Sequence, residues 1–271
     1  MNILTFDVGA TKTRVALADV SGLGEIEVIP TDHSPNGFAR FLGLLQEQSD
    51  GHRISAVIGG MAGELEGPEG ELVVSPNLPE WLGIPVLHRL QSLFDCRIEV
   101  DNDTVLCGLG EAHNGAGETE GVMTYFTVST GVNAVRIVDG QVDPSIMRFE
   151  IGAELLGEEQ GVNQTLEELT GGAAMMMRTG MSPAKIKDPK VWEMEAHELA
   201  RGVYDTMLHW TPAVVVFGGS MMRDISLKRV AKELQELPRV VEIPELRAAK
   251  LGDEAGLQGA LVRAQQLKLK R

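Results

Sequence analysis

The sequence predicts a mixed α/β protein built as two related lobes. Three observations carry that prediction. Short apolar runs suited to strands alternate with runs at helical spacing. A strand, a hydroxyl-bearing turn and a second strand occur twice, near residue 7 and near residue 130. A glycine-rich stretch at residues 114–121 separates the two copies. The repeat distance is too long for a solenoid.

The bulk numbers set the outer limits. The 271 residues suffice for one large domain or two modest ones. Hydrophobic content of 43% and charged content of 23% are ordinary for a folded protein in water. A net charge of −15 repels a phosphate backbone and so disfavours nucleic-acid partners. It does not exclude ATP, which a local cluster of donors and a metal can hold. Cys96 and Cys107 form neither a disulfide framework nor a metal motif and read as buried thiols in a reducing compartment. The amino terminus has no basic lead and carries Asp7 inside its apolar run, unlike a signal peptide. No apolar run approaches membrane-spanning length, so no membrane association is expected and the cytoplasm is the expected location.

The elements follow in order. Ile3, Leu4 and Phe6 form a strand ending on Asp7, a turn follows at Val8-Gly9-Ala10, and residues 15–18 form the second strand. Residues 25–29 alternate as a third strand that Pro30 ends, and Phe38, Phe41, Leu42, Leu44 and Leu45 mark a helix over 36–49. Residues 55–60 read as a short buried strand, and 72–74 as another within a loop-rich segment. The prolines of Ser75-Pro76-Asn77-Leu78-Pro79-Glu80-Trp81 hold that phrase extended. Residues 85–94 read as a helix, 97–100 as a strand, and 104–113 as a helix with Asp103 as its N-cap. After the glycine-rich loop come strands at 121–128 and 134–138, with Asp139-Gly140 as a hairpin signal. Residues 166–178 and 189–209 read as helices, the latter with Val191, Met194, Leu199, Val203, Met207 and Trp210 on one side. Residues 213–217 form a buried strand closed by Gly218-Gly219. Ser220 is placed to cap a helix carrying Leu227, Val230 and Leu234. Residues 240–243 read as the last strand and 254–267 as a terminal helix, followed by the basic Lys268, Lys270 and Arg271.

Four places carry possible chemistry. Asp7, Gly9, Thr11 and Lys12 supply a carboxylate, an approachable backbone, a hydroxyl and an ammonium, a set that suits a phosphate and its magnesium ion. An ordinary hairpin turn is the competing reading. Ser129-Thr130-Gly131 could cradle a second phosphate face or be a plain turn. Asp103, at a strand-to-helix junction after Asn102, could accept a proton from a substrate hydroxyl or serve only as a cap. Gly218-Gly219 could let a flat base pack on the backbone or mark a close strand-to-helix contact. The clusters Met175-Met176-Met177 and Met221-Met222 read as core filler. No histidine pair has ligand spacing, and Walker A, nucleophile-elbow and HExxH patterns are absent.

Together these residues resemble the ROK family of sugar kinases, repressors and open reading frames, in order and over nearly the whole chain. Asp7-Val8-Gly9-Ala10-Thr11-Lys12 is similar to the family's DxGGTK phosphate motif. Ser75 to Trp81 resembles its PNLPxW segment, and Val100-Asp101-Asn102-Asp103 its Asn-Asp pair. Ser129-Thr130-Gly131 resembles the second phosphate motif, and Glu150-Ile151-Gly152 the start of a Glu-x-Gly-His sugar motif. Leu166-Glu167 with Gly171-Gly172 resembles the LExxxSG segment, and Val216-Phe217-Gly218-Gly219 the adenosine motif. Leu251 to Leu257 resembles the start of the C-terminal helix.

The resemblance implies a two-lobed actin-like ATPase fold, ribonuclease H-like, with the nucleotide cleft between the lobes. The small lobe is expected over residues 1–113 plus the C-terminal helix at 252–271, and the large lobe over 114–251. The implied function is ATP-dependent phosphorylation of a hexose or amino-hexose hydroxyl. Asp103 is implied as the catalytic base. Asp7 holds magnesium through water, and Gly9, Thr11, Lys12, Thr130, Gly131, Gly218 and Gly219 bind the nucleotide. Asn77, Asn102, Asp103, Glu150 and Glu167 face the sugar. ATP and Mg²⁺ are the implied cofactors, and a homodimer the implied assembly.

The chain also departs from the family pattern. Ala153 stands where the sugar-motif histidine is expected, and no cysteine occurs up to Thr165, so no zinc is expected. Asn133, Ala134 and Val135 replace the glycines after the second Thr-Gly, a change expected to weaken nucleotide binding because Val resists left-handed backbone. Ala10 replaces a glycine of the first motif. The chain opens directly on its first strand without a helix-turn-helix, which disfavours the DNA-binding branch. A sugar-binding regulator with weak or no turnover is the alternative function.

Overall fold

β1 (Asn2–Val8) is buried along nearly its whole length, so it must be covered on both faces. The structure is a computed structural model and describes residues 2–19, 21–144, 150–159 and 162–267. Lys268, Lys270 and Arg271, the basic residues that follow the expected terminal helix, lie outside the described residues. After β1 come β2 (Lys12–Asp19), β3 (Gly22–Pro30), α1 (Gly37–Ser49), β4 (Ile54–Met61), β5 (Glu64–Glu66), β6 (Glu71–Val74), α2 (Val86–Leu93), β7 (Arg97–Asn102) and α3 (Asp103–Asn114). Then follow β8 (Val122–Val128), β9 (Val132–Val138), β10 (Gln141–Val142), β11 (Leu155–Glu159), β12 (Val162–Thr165), α4 (Leu166–Thr170), α5 (Gly172–Thr179), α6 (Pro189–Trp210), β13 (Val214–Gly218), α7 (Leu227–Glu236), β14 (Glu245–Ala248) and α8 (Ala255–Gln266).

The chain divides into two units. The first comprises Met1–Gly110 with Asp253–Arg271, and the second Glu111–Gly252. Each holds a five-stranded sheet, ordered β3-β2-β1-β4-β7 in the first unit and β10-β9-β8-β13-β14 in the second. The strand senses match position by position. The two outer pairs on the hairpin side are antiparallel, and the remaining strands run parallel to the central one. The internal repeat read from two hydroxyl-bearing turns is thus a repeat of the whole sheet.

Helices cover both faces of the first sheet, as a parallel core requires. On one face α1 and α2 pack Phe38, Phe41, Leu45 and Leu90 against Leu4, Phe6 and Val57. On the other, α8 and α3 pack Ala260, Leu261 and Leu106 against Ile3 and Ile58. In the second unit α4 to α7 bury Leu166, Met175, Leu199, Val203 and Val230 against Phe126, Val215 and Phe217. Among the described residues no helix is long and apolar enough to cross a membrane.

Several expected elements differ. The phrase ending at Trp81 is not extended: Pro79–Trp81 is a 3-10 turn, because Leu78 and Trp81, at 0% and 1% exposure, both point into the core. The expected helix over 166–178 breaks at Gly171, whose ψ of 144° is extended. Residues 240–243 form no strand. Val240 is 69% exposed, and the last strand is β14, beyond Pro244. Ser226 caps α7, whereas Ser220 begins a 3-10 turn. Met194 lies on the solvent face of α6, at 63% exposure. Cys96 and Cys107 are half-buried, not fully buried, and neither is in a disulfide.

Candidate active site

In the first unit the candidate residues gather at the carboxyl ends of β1, β4 and β7, the end at which parallel strands offer ligand sites. Asp7 pairs in register with Gly60, and Gly60 with Asp101. An added Cβ on Gly60 would lie 3.0 Å from the Cα of Asp103. The turn joining β1 to β2 is closed by the Gly9 N–H donating to the Lys12 carbonyl at 3.0 Å. Thr31 braces it from the end of β3. Its hydroxyl donates to the Gly9 carbonyl at 2.8 Å and its N–H to the Thr11 carbonyl at 3.1 Å.

Charge is concentrated around that turn. Arg14 donates to Asp7 Oδ2 at 2.9 Å and to Asp253 Oδ1 at 2.5 Å, and Lys12 Nζ donates to Asp253 Oδ2 at 2.9 Å. Lys12, expected on phosphate, is therefore paired with Asp253 here. Burial pushes the Asp7 carboxyl up to about 7, the charge of Asp103 pushes the same way, and Arg14 opposes both. The Asp103 carboxyl is also raised, by burial first, while the Thr104 N–H opposes the rise. Asp253 is held below the ordinary range, chiefly by its bond from Lys12. Gly256, at the start of α8, packs so tightly on Asp7 that an added Cβ would lie 2.9 Å from Cγ.

Asp103 is the first residue of α3 rather than the residue before it. The Thr104 N–H is shared between Asn102 Oδ1 at 2.9 Å and Asp103 Oδ1 at 2.8 Å. Capping therefore uses one oxygen of the aspartate. Asn102 Nδ2 donates to the Gly63 carbonyl at 3.3 Å, which fixes its amide. Asn77, half-buried in the loop after β6, accepts a bond on its backbone carbonyl from His33 Nδ1 at 2.8 Å.

In the second unit the corresponding strand ends are those of β8 and β13, paired in register Thr127 to Gly218. Ser129, Thr130 and Gly131 form the β8–β9 turn, closed by the Ser129 N–H to the Gly131 carbonyl at 2.8 Å. The first N–H groups of α5, at Gly172 and Ala173, donate to the carbonyls of Ser129 and Thr130 at 2.8 and 2.9 Å. Gly219 adopts a φ of 93° beside Val128. Glu167, in the first turn of α4, accepts the Val132 N–H on Oε2 at 2.8 Å. Glu150 is exposed and directly precedes a 3-10 turn, Ile151–Ala153.

The left-handed backbone on which the expected weakening of nucleotide binding rested is absent at the positions that replace the second motif's glycines. Asn133, Ala134 and Val135 lie in regular β9, paired with Thr127, Phe126 and Tyr125. The only non-glycine residues with positive φ among those described are Asp139 and Thr211.

Sequence reasoning did not pick out Arg14, Asp253 as a partner of Lys12, or Asn133 as a hydrogen-bonding group. The first was within reach: a hairpin centred on Ala10 and Thr11 sets Asp7 opposite Arg14.

Comparison with known proteins agrees with this geometry. A glucokinase from Halalkalibacterium halodurans is 26% identical, with 96% of this chain and 94% of that protein covered. The ROK hexokinase of Thermus thermophilus superposes with a TM-score of 0.81 at 25% identity, covering 99% of each chain. A ROK glucokinase from Streptomyces griseus, solved with glucose and AMPPNP, gives a TM-score of 0.80 at 20% identity over 98% of this chain and 100% of that one. The paired five-stranded sheets are those of the actin-like ATPase fold. With the ROK family model matching residues 3–267, the chain belongs to the ROK family.

Proposed function

We propose that the chain is an ATP-dependent sugar kinase that phosphorylates a hydroxyl of a hexose or amino-hexose. The observation that carries the reading is the pair Asp7 on β1 and Asp103 just past β7, at the same end of the sheet on either side of β4, both raised by burial and the first raised further by the second. Such a pair suits one cation and one proton. Named relatives support the class, among them the glucokinases above and a fructokinase from Streptococcus mutans.

Asp103 would accept the proton of the attacking sugar hydroxyl on the oxygen that capping leaves over. As the new O–P bond forms at the γ-phosphorus, the bond to the bridging oxygen breaks and ADP carries that oxygen away. Thr11 and Thr130 would donate to phosphate oxygens, together with the N–H of Gly131, while Gly9, whose own N–H closes the turn, would let a phosphate approach its backbone closely. Lys12 would exchange Asp253 for a phosphate oxygen. Gly218 and Gly219 would lie against the adenosine. Asn77, Asn102, Glu150 and Glu167 would hold sugar hydroxyls, with the bonds already described fixing Asn102 and Glu167 in place.

Magnesium fits the donor set. Among the described residues no three ligating side chains gather into a cage, and Mg²⁺ is commonly held by one or two carboxylates plus substrate phosphates and water. Asp7 would hold it through water, and the ion would supply charge neutralisation at the β- and γ-oxygens. The cytoplasm and a homodimer complete the reading. Light scattering of the purified protein tests the dimer.

The central test is ADP release with ATP and magnesium over a panel of hexoses and amino-hexoses. Turnover with at least one sugar is expected. No turnover, combined with thermal stabilisation by a sugar, would favour the non-catalytic regulator instead. Asp103→Asn is expected to lower kcat by roughly 10²- to 10⁴-fold while sugar binding persists. Retained turnover would remove Asp103 from its role.

A further inference from the structure

β9 opens with two consecutive residues whose polar groups serve different partners. The Val132 N–H holds Glu167 Oε2 at 2.8 Å. The side chain of Asn133 accepts two N–H groups on Oδ1, from Ala134 at 2.8 Å and from Ile151 at 3.3 Å. Ile151 directly follows Glu150. Its N–H shares a peptide plane with the Glu150 carbonyl, so fixing that N–H fixes the ψ of Glu150. That backbone is neither helical nor extended, with φ −127° and ψ 48°, so no regular ladder holds it.

The surrounding packing shows how tightly the turn is seated. An added Cβ on Gly152 would lie 2.0 Å from the Val132 carbonyl oxygen, so the turn rests directly on β9. Ile151 packs on the core of the second unit. The Leu166 N–H donates to the Glu154 carbonyl at 2.8 Å, tying the end of the turn to the start of α4. Thus β9, the 3-10 turn and α4 are mutually linked, and one residue of β9 serves each of the two glutamates.

We propose that Asn133 is a positioning residue for the sugar acceptor: its Oδ1 grips the Ile151 N–H and so aims Glu150, while Val132 beside it aims Glu167. This rests on the sugar-kinase reading, in which both glutamates hold the acceptor sugar. Asn133 does not touch the phosphate chemistry, so its effect falls on the sugar and not on ATP.

Two variants and two readouts test it. Asn133→Gly removes the acceptor. Asn133→Asp keeps a carboxylate oxygen able to take both N–H groups. With Asn133→Gly the KM for the sugar is expected to rise about 3- to 10-fold, the loss of one hydrogen bond, with the KM for ATP unchanged. Asn133→Asp is expected to stay close to wild type. Hydrogen exchange at the Ile151 amide, read without substrate, is expected to speed up in Asn133→Gly and not in Asn133→Asp. An unchanged sugar KM, an equal rise in the ATP KM, or unchanged exchange at Ile151 in Asn133→Gly would overturn the proposal. If the wild type turns over no sugar, the kinase reading fails by itself, and unchanged Ile151 exchange would still overturn the grip of Asn133.

Discussion

At Asp7 two influences oppose one another. Burial and the charge of Asp103 favour the neutral acid, while the Arg14 guanidinium favours the carboxylate. The sign of a test follows. With Asp7 titrating near 7, it is largely protonated in the folded protein at pH 6 and largely ionised at pH 8, so the ion pair with Arg14 matters more at pH 8. Arg14→Met should therefore destabilise by about 1.5–3 kcal/mol at pH 8 and distinctly less at pH 6, measured by urea unfolding at both values. Equal losses at the two pH values would sink this account. The same residues show what single-position reading misses. Asp7, Gly9 and Lys12 could be picked out because they sit in one short run. Asp253 could not be matched to Lys12, because 241 residues separate them and only the folded chain joins them. Asn133 was legible as a departure from glycine, but not as a hydrogen-bond acceptor for a turn formed 18 residues later.

At the scale of elements, the segment from Ser75 to Trp81 shows a motif acting through packing as well as chemistry. Trp81 stacks on Phe41 at 6.3 Å between centroids and meets Phe38 edge-on at 5.4 Å, while Leu78 is fully buried. These anchors hold the loop that carries Asn77. Among the described residues Trp81 Nε1 has no hydrogen-bond partner, so the residue contributes volume and ring contacts. Trp81→Ala should cost about 3–5 kcal/mol, whereas Trp81→Phe, which breaks no hydrogen bond, should cost markedly less. Chemical denaturation of both variants checks this, and a similar loss for the two would mean that volume is not what Trp81 supplies. Legibility followed the same physics. Long periodic stretches such as α1 and α6, and fully apolar strands such as β1 and β13, could be read from the sequence because one period dominates each. The failures came where a short apolar run had two possible uses. Residues 240–243 have a strand's composition, yet β14 takes the place beside β13 two residues later. The break at Gly171 depended on carbonyls of the β8–β9 turn accepting the first N–H groups of α5, a contact invisible to any window on the helix.

For the whole molecule, carboxyls raised by burial set the pH response of the ligand-free protein, Asp101 and Asp103 among them. Asp7, Glu154 and Glu195 are each pushed up to about 7, and burial is the first cause in all three. In the unfolded chain they titrate near 4. Between those values the folded state binds more protons than the unfolded one, so the stability they confer is complete below about pH 4 and is lost as pH rises to about 7. Asp19, Asp32, Glu233, Glu245 and Asp253 are shifted downward and act oppositely, and their contribution is lost only when pH falls through the acid range. The ligand-free protein should therefore melt at a higher temperature at pH 6 than at pH 8. The growing net negative charge alone would push the same way, so a single residue has to separate the causes. Glu195 serves, at 1% exposure, with Oε1 paired to Arg178 at 2.5 Å and Oε2 without a partner among the described residues. Glu195→Gln removes the cost of a buried charge and should stabilise the protein at pH 8 by on the order of 1–3 kcal/mol, with little effect at pH 5. A variant less stable than wild type at pH 8 would show instead that the Arg178 pair outweighs the burial of Glu195.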